Sequence, residues 1–168
     1  QRRRDDLLRM VREKFLEAPY VGWNARDRYL SGHNMAVTEQ VCAGICALVW
    51  GVDAGRGDWD AVVQRAIESC TLYCRYGLDR AGYGYEGTMY ACNPMDVTYL
   101  FAQLLCQNGR ENLFELIPEL KAHPAATRNL LFPDRIGLTP IADGGILNPE
   151  SYAWLLLTAK HYDRPEDL

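Results

Sequence analysis

The apolar residues of this chain recur at helical spacing, and no convincing run alternates as a strand would. From Asp5 to Glu17, the residues Leu7, Leu8, Val11, Phe15 and Leu16 fall near one helical face, and Pro19 and Gly22 close the segment. A second helix is expected from about Asn34 to Trp50, where Ala36, Ala43, Gly44 and Ala47 leave room for a neighbour to come close. Asp58 suits the N-cap of a third helix, Trp59 to Tyr76, which Gly77 ends. Asn93 and Pro94 read as the N-cap and first residue of a fourth, stopped at Asn108-Gly109. Glu111 to His123 gives a fifth, interrupted by Pro118 and so kinked or split. Pro133 to Asn148 reads as loop, and Glu150 to Tyr162 as the last helix. The expected class is all-α, and helices joined by short loops favour antiparallel hairpins.

Length and charge narrow the function classes. A chain of 168 residues makes one domain, which buries roughly two-thirds of its extended surface. A net charge of −4 argues against a general nucleic-acid binder, which needs a basic face. No apolar run approaches the ~20 residues that cross a bilayer. The start, Gln1-Arg2-Arg3-Arg4-Asp5-Asp6, does not read as a signal peptide, since no apolar core follows it. Without an initiator Met the expectation is either that something upstream was removed or that this is a piece of a longer protein. Arg26, Arg28, His33, Arg75 and Arg80 are cations that could line a cleft for a polyanion.

The cysteines invite a metal reading. Cys42 and Cys46 are four apart, as are Cys70 and Cys74, and four thiolates could hold zinc. The spacing is not the two-residue knuckle of structural zinc sites, and free cysteine commonly packs as a small buried residue. Helix packing is the favoured reading, with a disulfide or metal as alternatives. His33, His123 and His161 are far apart in sequence, and no metal or cofactor is expected.

One segment stands apart from the helices. Gly82-Tyr83-Gly84-Tyr85-Glu86-Gly87-Thr88-Met89-Tyr90 sets three tyrosines and a glutamate among three glycines, between two helical stretches. Glycine permits tight turns and close backbone approach, and such loops on rigid scaffolds carry binding or catalytic groups. The competing reading is an aromatic turn that only packs between helices.

The order of features is similar to a known family. A Gly-His-Asn stretch at 32–34 opens an alanine-rich helix, and Asp79-Arg80-Ala81-Gly82 leads into Glu86-Gly87-Thr88-Met89-Tyr90 before a long apolar helix. Pro140-Ile141-Ala142-Asp143-Gly144 follows. From about Ser31 to Gly145 this resembles the α-helical toroid of heparinase II/III-like polysaccharide lyases, which include oligoalginate lyases. In this chain His33 precedes Asn34, whereas family members tend to place the asparagine first. The resemblance implies part of an incomplete (α/α) toroid whose β-sandwich partner is missing from this chain. It further implies cleavage of an acidic, uronic-acid-containing polysaccharide or oligosaccharide, and a secreted or periplasmic location.

That resemblance assigns roles. β-Elimination must neutralise the uronate carboxylate, remove the C5 proton and protonate the departing oxygen. Tyr90 is the candidate for proton transfer, His33 for base or carboxylate partner, and Asn34 for neutraliser. Arg80, with its planar fork, is a candidate for holding a substrate carboxylate. Tyr83, Tyr85 and Trp23 are candidate sugar-stacking surfaces, as is Tyr29. Glu86 belongs to the same substrate-binding loop, and pinning that loop is the role expected of it. Without the resemblance, His33 and Asn34 read as a helix N-cap region, and the tyrosines as packing. Two further functions stay open: a non-catalytic module that binds glycan or protein, and a glycoside hydrolase pairing Glu86 with Asp79 or Asp143.

Overall fold

The computed structural model describes residues 2–13, 33–54, 59–133, 138–139, 141 and 153–165. Among these residues the chain is all-α. Its helices are α1 (Arg2–Val11), α2 (Asn34–Ala54), α3 (Trp59–Tyr76), α4 (Thr88–Gln107), α5 (Leu113–Leu116), α6 (Pro118–Asn129) and α7 (Ala153–Tyr162). No described residue forms a strand beyond two isolated bridges, Leu78 with Gly84 and Leu131 with Leu138. No described helix is long and apolar enough to cross a membrane.

α2 is the hub, packing on α3 and α4. Its sequence is apolar nearly all round, which suits a helix covered on more than one side. The small residues have the expected use at Gly44: a Cβ there would stand 2.5 Å from the Ala66 Cβ and 3.0 Å from the Phe101 ring. Only a hydrogen lets the three helices meet so closely. Val37, Val41, Val63, Met95, Phe101 and Leu105 are fully buried around this junction. α4 continues the core to α7, and α6 packs on α3 and α7.

Several boundaries differ from expectation, α1 beginning at Arg2 rather than Asp5 and α5 at Leu113 rather than Glu111. α2 runs one turn past Trp50 to Ala54, with Gly51 buried against the Trp59 indole. α4 begins at Thr88, so Asn93 is not its cap, and Pro94 lies inside it rather than at its first position. The expected fifth helix does split at Pro118, but its second half continues past His123 to Asn129, carrying Pro124 in its interior.

An internal proline lacks the N–H that would bond the carbonyl four residues back, and so orphans that carbonyl. Here the orphans are the carbonyls of Tyr90, for Pro94, and Leu120, for Pro124. Phe114 is the corresponding residue for Pro118, whose predecessor Ile117 is driven to extended geometry at φ −120° and ψ 94°. Each of the three carbonyls accepts a hydrogen bond from a tyrosine hydroxyl of another helix. Tyr99 donates to Leu120 at 2.8 Å, Tyr162 to Phe114 at 3.0 Å, and Tyr73 to Tyr90 at 3.4 Å. Burial pushes the Tyr73 and Tyr162 hydroxyls well above the ordinary tyrosine range, so both stay protonated and able to donate. At Pro94 and Pro124, sequence signals that normally end helices are thereby tolerated.

Candidate functional site

The glycine- and tyrosine-rich segment is a tight hairpin held from within by Asp79. The Asp79 carboxylate accepts the N–H groups of Ala81 and Tyr83, both at 2.9 Å, while the Asp79 N–H donates to the Tyr83 carbonyl at 2.8 Å. The Tyr85 N–H closes on the Gly77 carbonyl at 3.0 Å. Such aspartate-centred turns are a local alternative to regular structure. Asp79, a candidate second acid for hydrolysis, is therefore engaged in holding the loop.

Two long-range contacts fix this hairpin to the helices. The Asn34 N–H, at the start of α2, donates to Glu86 Oε2 at 3.1 Å across 52 residues of sequence. A carboxylate there satisfies an orphan donor and meets the positive end of the helix. On the other contact, His123 of α6 donates from Nδ1 to the Gly82 carbonyl at 2.7 Å. A carbonyl only accepts, so Nδ1 carries the hydrogen, and Nε2 accepts from the Thr127 hydroxyl at 3.3 Å. Burial lowers the His123 pKa to about 4, which keeps the ring neutral near pH 7. Gly82 sits at φ +93°, and a Cβ on it would come within 2.5 Å of the His123 backbone nitrogen. Both the turn and the approach demand glycine at this position.

The expected site residues are brought together in part. His33, exposed, precedes α2 and receives the Met35 N–H on Nδ1 at 3.3 Å, so it does act as a cap. Its hydrogen then lies on Nε2, which faces Glu86 Oε1 at 3.9 Å. His33, Asn34 and Glu86 thus share one corner. Asn34 is 7% exposed, and its backbone N–H is what reaches Glu86. The Glu86 carboxylate is the acceptor that ties the loop to the start of α2.

Tyr90, in the first turn of α4, is half-buried, and among the described residues its hydroxyl has no hydrogen-bond partner. Tyr85 is 72% exposed, and Arg80 is exposed at the hairpin tip. Tyr83 is half-buried and accepts a hydrogen bond from Asn129 Nδ2 at 3.3 Å. Trp23, Tyr29 and Asp143 lie outside the described residues.

Sequence reasoning missed His123, which showed there only as an isolated histidine. Its signal was weak, because its partner is a backbone carbonyl 41 residues away. It missed Asp96 as well: burial on α4 pushes this carboxyl up to about 7. None of the six cysteines is in a disulfide, and none of the described residues forms a group of three or more side chains that could hold a metal ion. Burial drives the Cys70 thiol up to about 12 and Cys74 well above its ordinary value.

No protein-family model matches the chain, and neither does any curated protein or solved structure.

Proposed function

We propose that this helical domain is the toroid portion of a polysaccharide lyase, cleaving an acidic, uronic-acid-containing glycan by β-elimination. The observation that carries the reading is the contact between Asn34 and Glu86. It joins the helix opening and the glycine-rich loop, the two distant stretches on which the family resemblance rests.

In this scheme a substrate carboxylate competes with Glu86 Oε1 for the His33 Nε2–H, the donor that Nδ1 capping leaves in place. Neutralising that carboxylate acidifies the C5 proton, and preorganised donors stabilise the enediolate that forms. The Tyr90 oxygen, as phenolate, takes the C5 proton and then passes it to the departing oxygen. The C5–H electron pair becomes the C4–C5 double bond, the C4–O bond breaks, and the departing oxygen takes up a proton. With its Nδ1 lone pair committed to the Met35 N–H, His33 serves as carboxylate partner rather than base. Arg80, Tyr83 and Tyr85 supply the outer contacts to sugar.

One observation favours a second reading, a non-catalytic glycan- or protein-binding module. Glu86 already places a carboxylate at the helix start, where substrate would compete with it. Incubating the full-length protein with uronate polysaccharides separates the two readings. The lyase generates unsaturated products that absorb in the near ultraviolet, and Tyr90→Phe reduces their formation by about a hundredfold or more, with folding retained. Binding without product supports the module, and undiminished turnover by Tyr90→Phe removes that residue from the mechanism.

A further inference from the structure

Between the hairpin and α6 lies a cavity of about 50 Å³. Its walls include Ala91, Cys92, Ala126 and Leu130, with Tyr83 and the 46% exposed Ile141 on its more open side. The volume exceeds the ~10–15 Å³ that one water requires and is far below the ~150 Å³ of a cavity that accepts benzene.

The polar groups on the wall are already engaged. The Thr88 hydroxyl donates to the Thr139 carbonyl at 3.1 Å, the Thr127 hydroxyl to His123 Nε2, and His123 Nδ1 to Gly82. The Thr88, Thr127 and His123 side chains therefore have no spare hydrogen to give, and an apolar occupant loses little beside them. At Tyr83 the chemistry changes. Its hydroxyl oxygen accepts from Asn129, which leaves its own proton for a ligand.

A small apolar tip next to a single hydrogen-bond donor matches one common glycan substituent. We infer that this cavity receives the methyl end of an acetyl group on the acidic glycan, whose carbonyl takes the Tyr83 hydroxyl proton. The inference rests on the uronate-glycan reading and specifies which glycans the site prefers. An acetyl ester on a uronate and an acetamide on a neighbouring hexosamine present the same chemistry.

The test is equilibrium binding of the full-length protein to matched uronate oligosaccharides. One pair is O-acetyl against O-formyl uronate, and the other carries N-acetyl against N-formyl hexosamine. One acetylated form binds about tenfold tighter than its partner, the discrimination expected of a single methyl in an apolar pocket, and which pair shows it identifies the source. Ala126→Val fills the cavity and brings that ratio to about one; Cys92→Leu does the same should the first variant fold poorly. Independently, dissolved xenon shifts the methyl resonances of Ala91 and Ala126 in the wild-type protein. Equal binding within both pairs, a preference that survives cavity filling, or methyl signals blind to xenon each overturn the inference and leave the uronate reading in place. Failure of every uronate oligosaccharide to bind overturns both.

Discussion

The Tyr99 hydroxyl donates to the Leu120 carbonyl at 2.8 Å, supplying the hydrogen bond that Pro124 denies to α6. Tyr99 is completely buried, so the carbonyl has no water to fall back on. Tyr99→Phe leaves an unsatisfied buried acceptor and is expected to cost about 1–3 kcal/mol in denaturant unfolding. Adding Pro124→Ala restores the intrahelical donor at residue 124. The double variant should then recover at least half of that loss; simple additivity of the two changes would show that the phenol and the proline are not coupled.

The other two pairs should form a graded series. Tyr162→Phe removes a 3.0 Å bond at a half-buried position and should cost about 1 kcal/mol. Tyr73→Phe removes one at 3.4 Å, too long to be strong, and should cost less than about 1 kcal/mol. Thermal or urea unfolding of the three phenylalanine variants should rank Tyr99 first and Tyr73 last. A reversed order would show that bond length does not set the contribution.

His123 gives stability a pH dependence with a defined sign. Unfolded, the imidazole takes its proton near 6.5; folded, only near 4. Between those values the unfolded chain binds more protons, so stability rises with pH from about 4 to 6.5 and levels off above. For a group this deeply buried the gain amounts to about 3 kcal/mol. Comparing pH profiles of wild type and His123→Gln isolates it, since the variant should lose this slope. Asp96 works in the opposite direction. Its folded pKa, near 7, lies above the ordinary 3.8, so its contribution falls as pH rises through that window, and Asp96→Asn should remove that decline.

Gly82→Ala should be among the most damaging single-methyl changes in the hairpin. It forces a Cβ into a left-handed backbone and against the His123 backbone at 2.5 Å, with no flexible side chain to give way. A loss of at least about 2 kcal/mol is expected, together with faster hydrogen exchange at Tyr83 and Tyr85. A variant as stable as wild type would mean that α6 can move away from the loop at little cost.

Helical class, most helix cores and the split at Pro118 were legible because periodicity and backbone stop signals are local properties of the chain. α3, Trp59–Tyr76, was read at its full extent for that reason. The loop between α3 and α4 was equally visible, since three glycines in six residues admit few alternatives. Pro94 misled, and the helix expected to end at His123 in fact runs on through Pro124, because a proline announces only the loss of a hydrogen bond. Whether the helix survives depends on a phenol reaching the stranded carbonyl from 17 or 21 residues away, which no local pattern encodes. The same holds for the candidate site. Its residue types stood out in the sequence, but the meeting of Glu86 with the α2 N-terminus and of His123 with Gly82 was decided by packing, because each joins a side chain to a backbone group that carries no sequence signature.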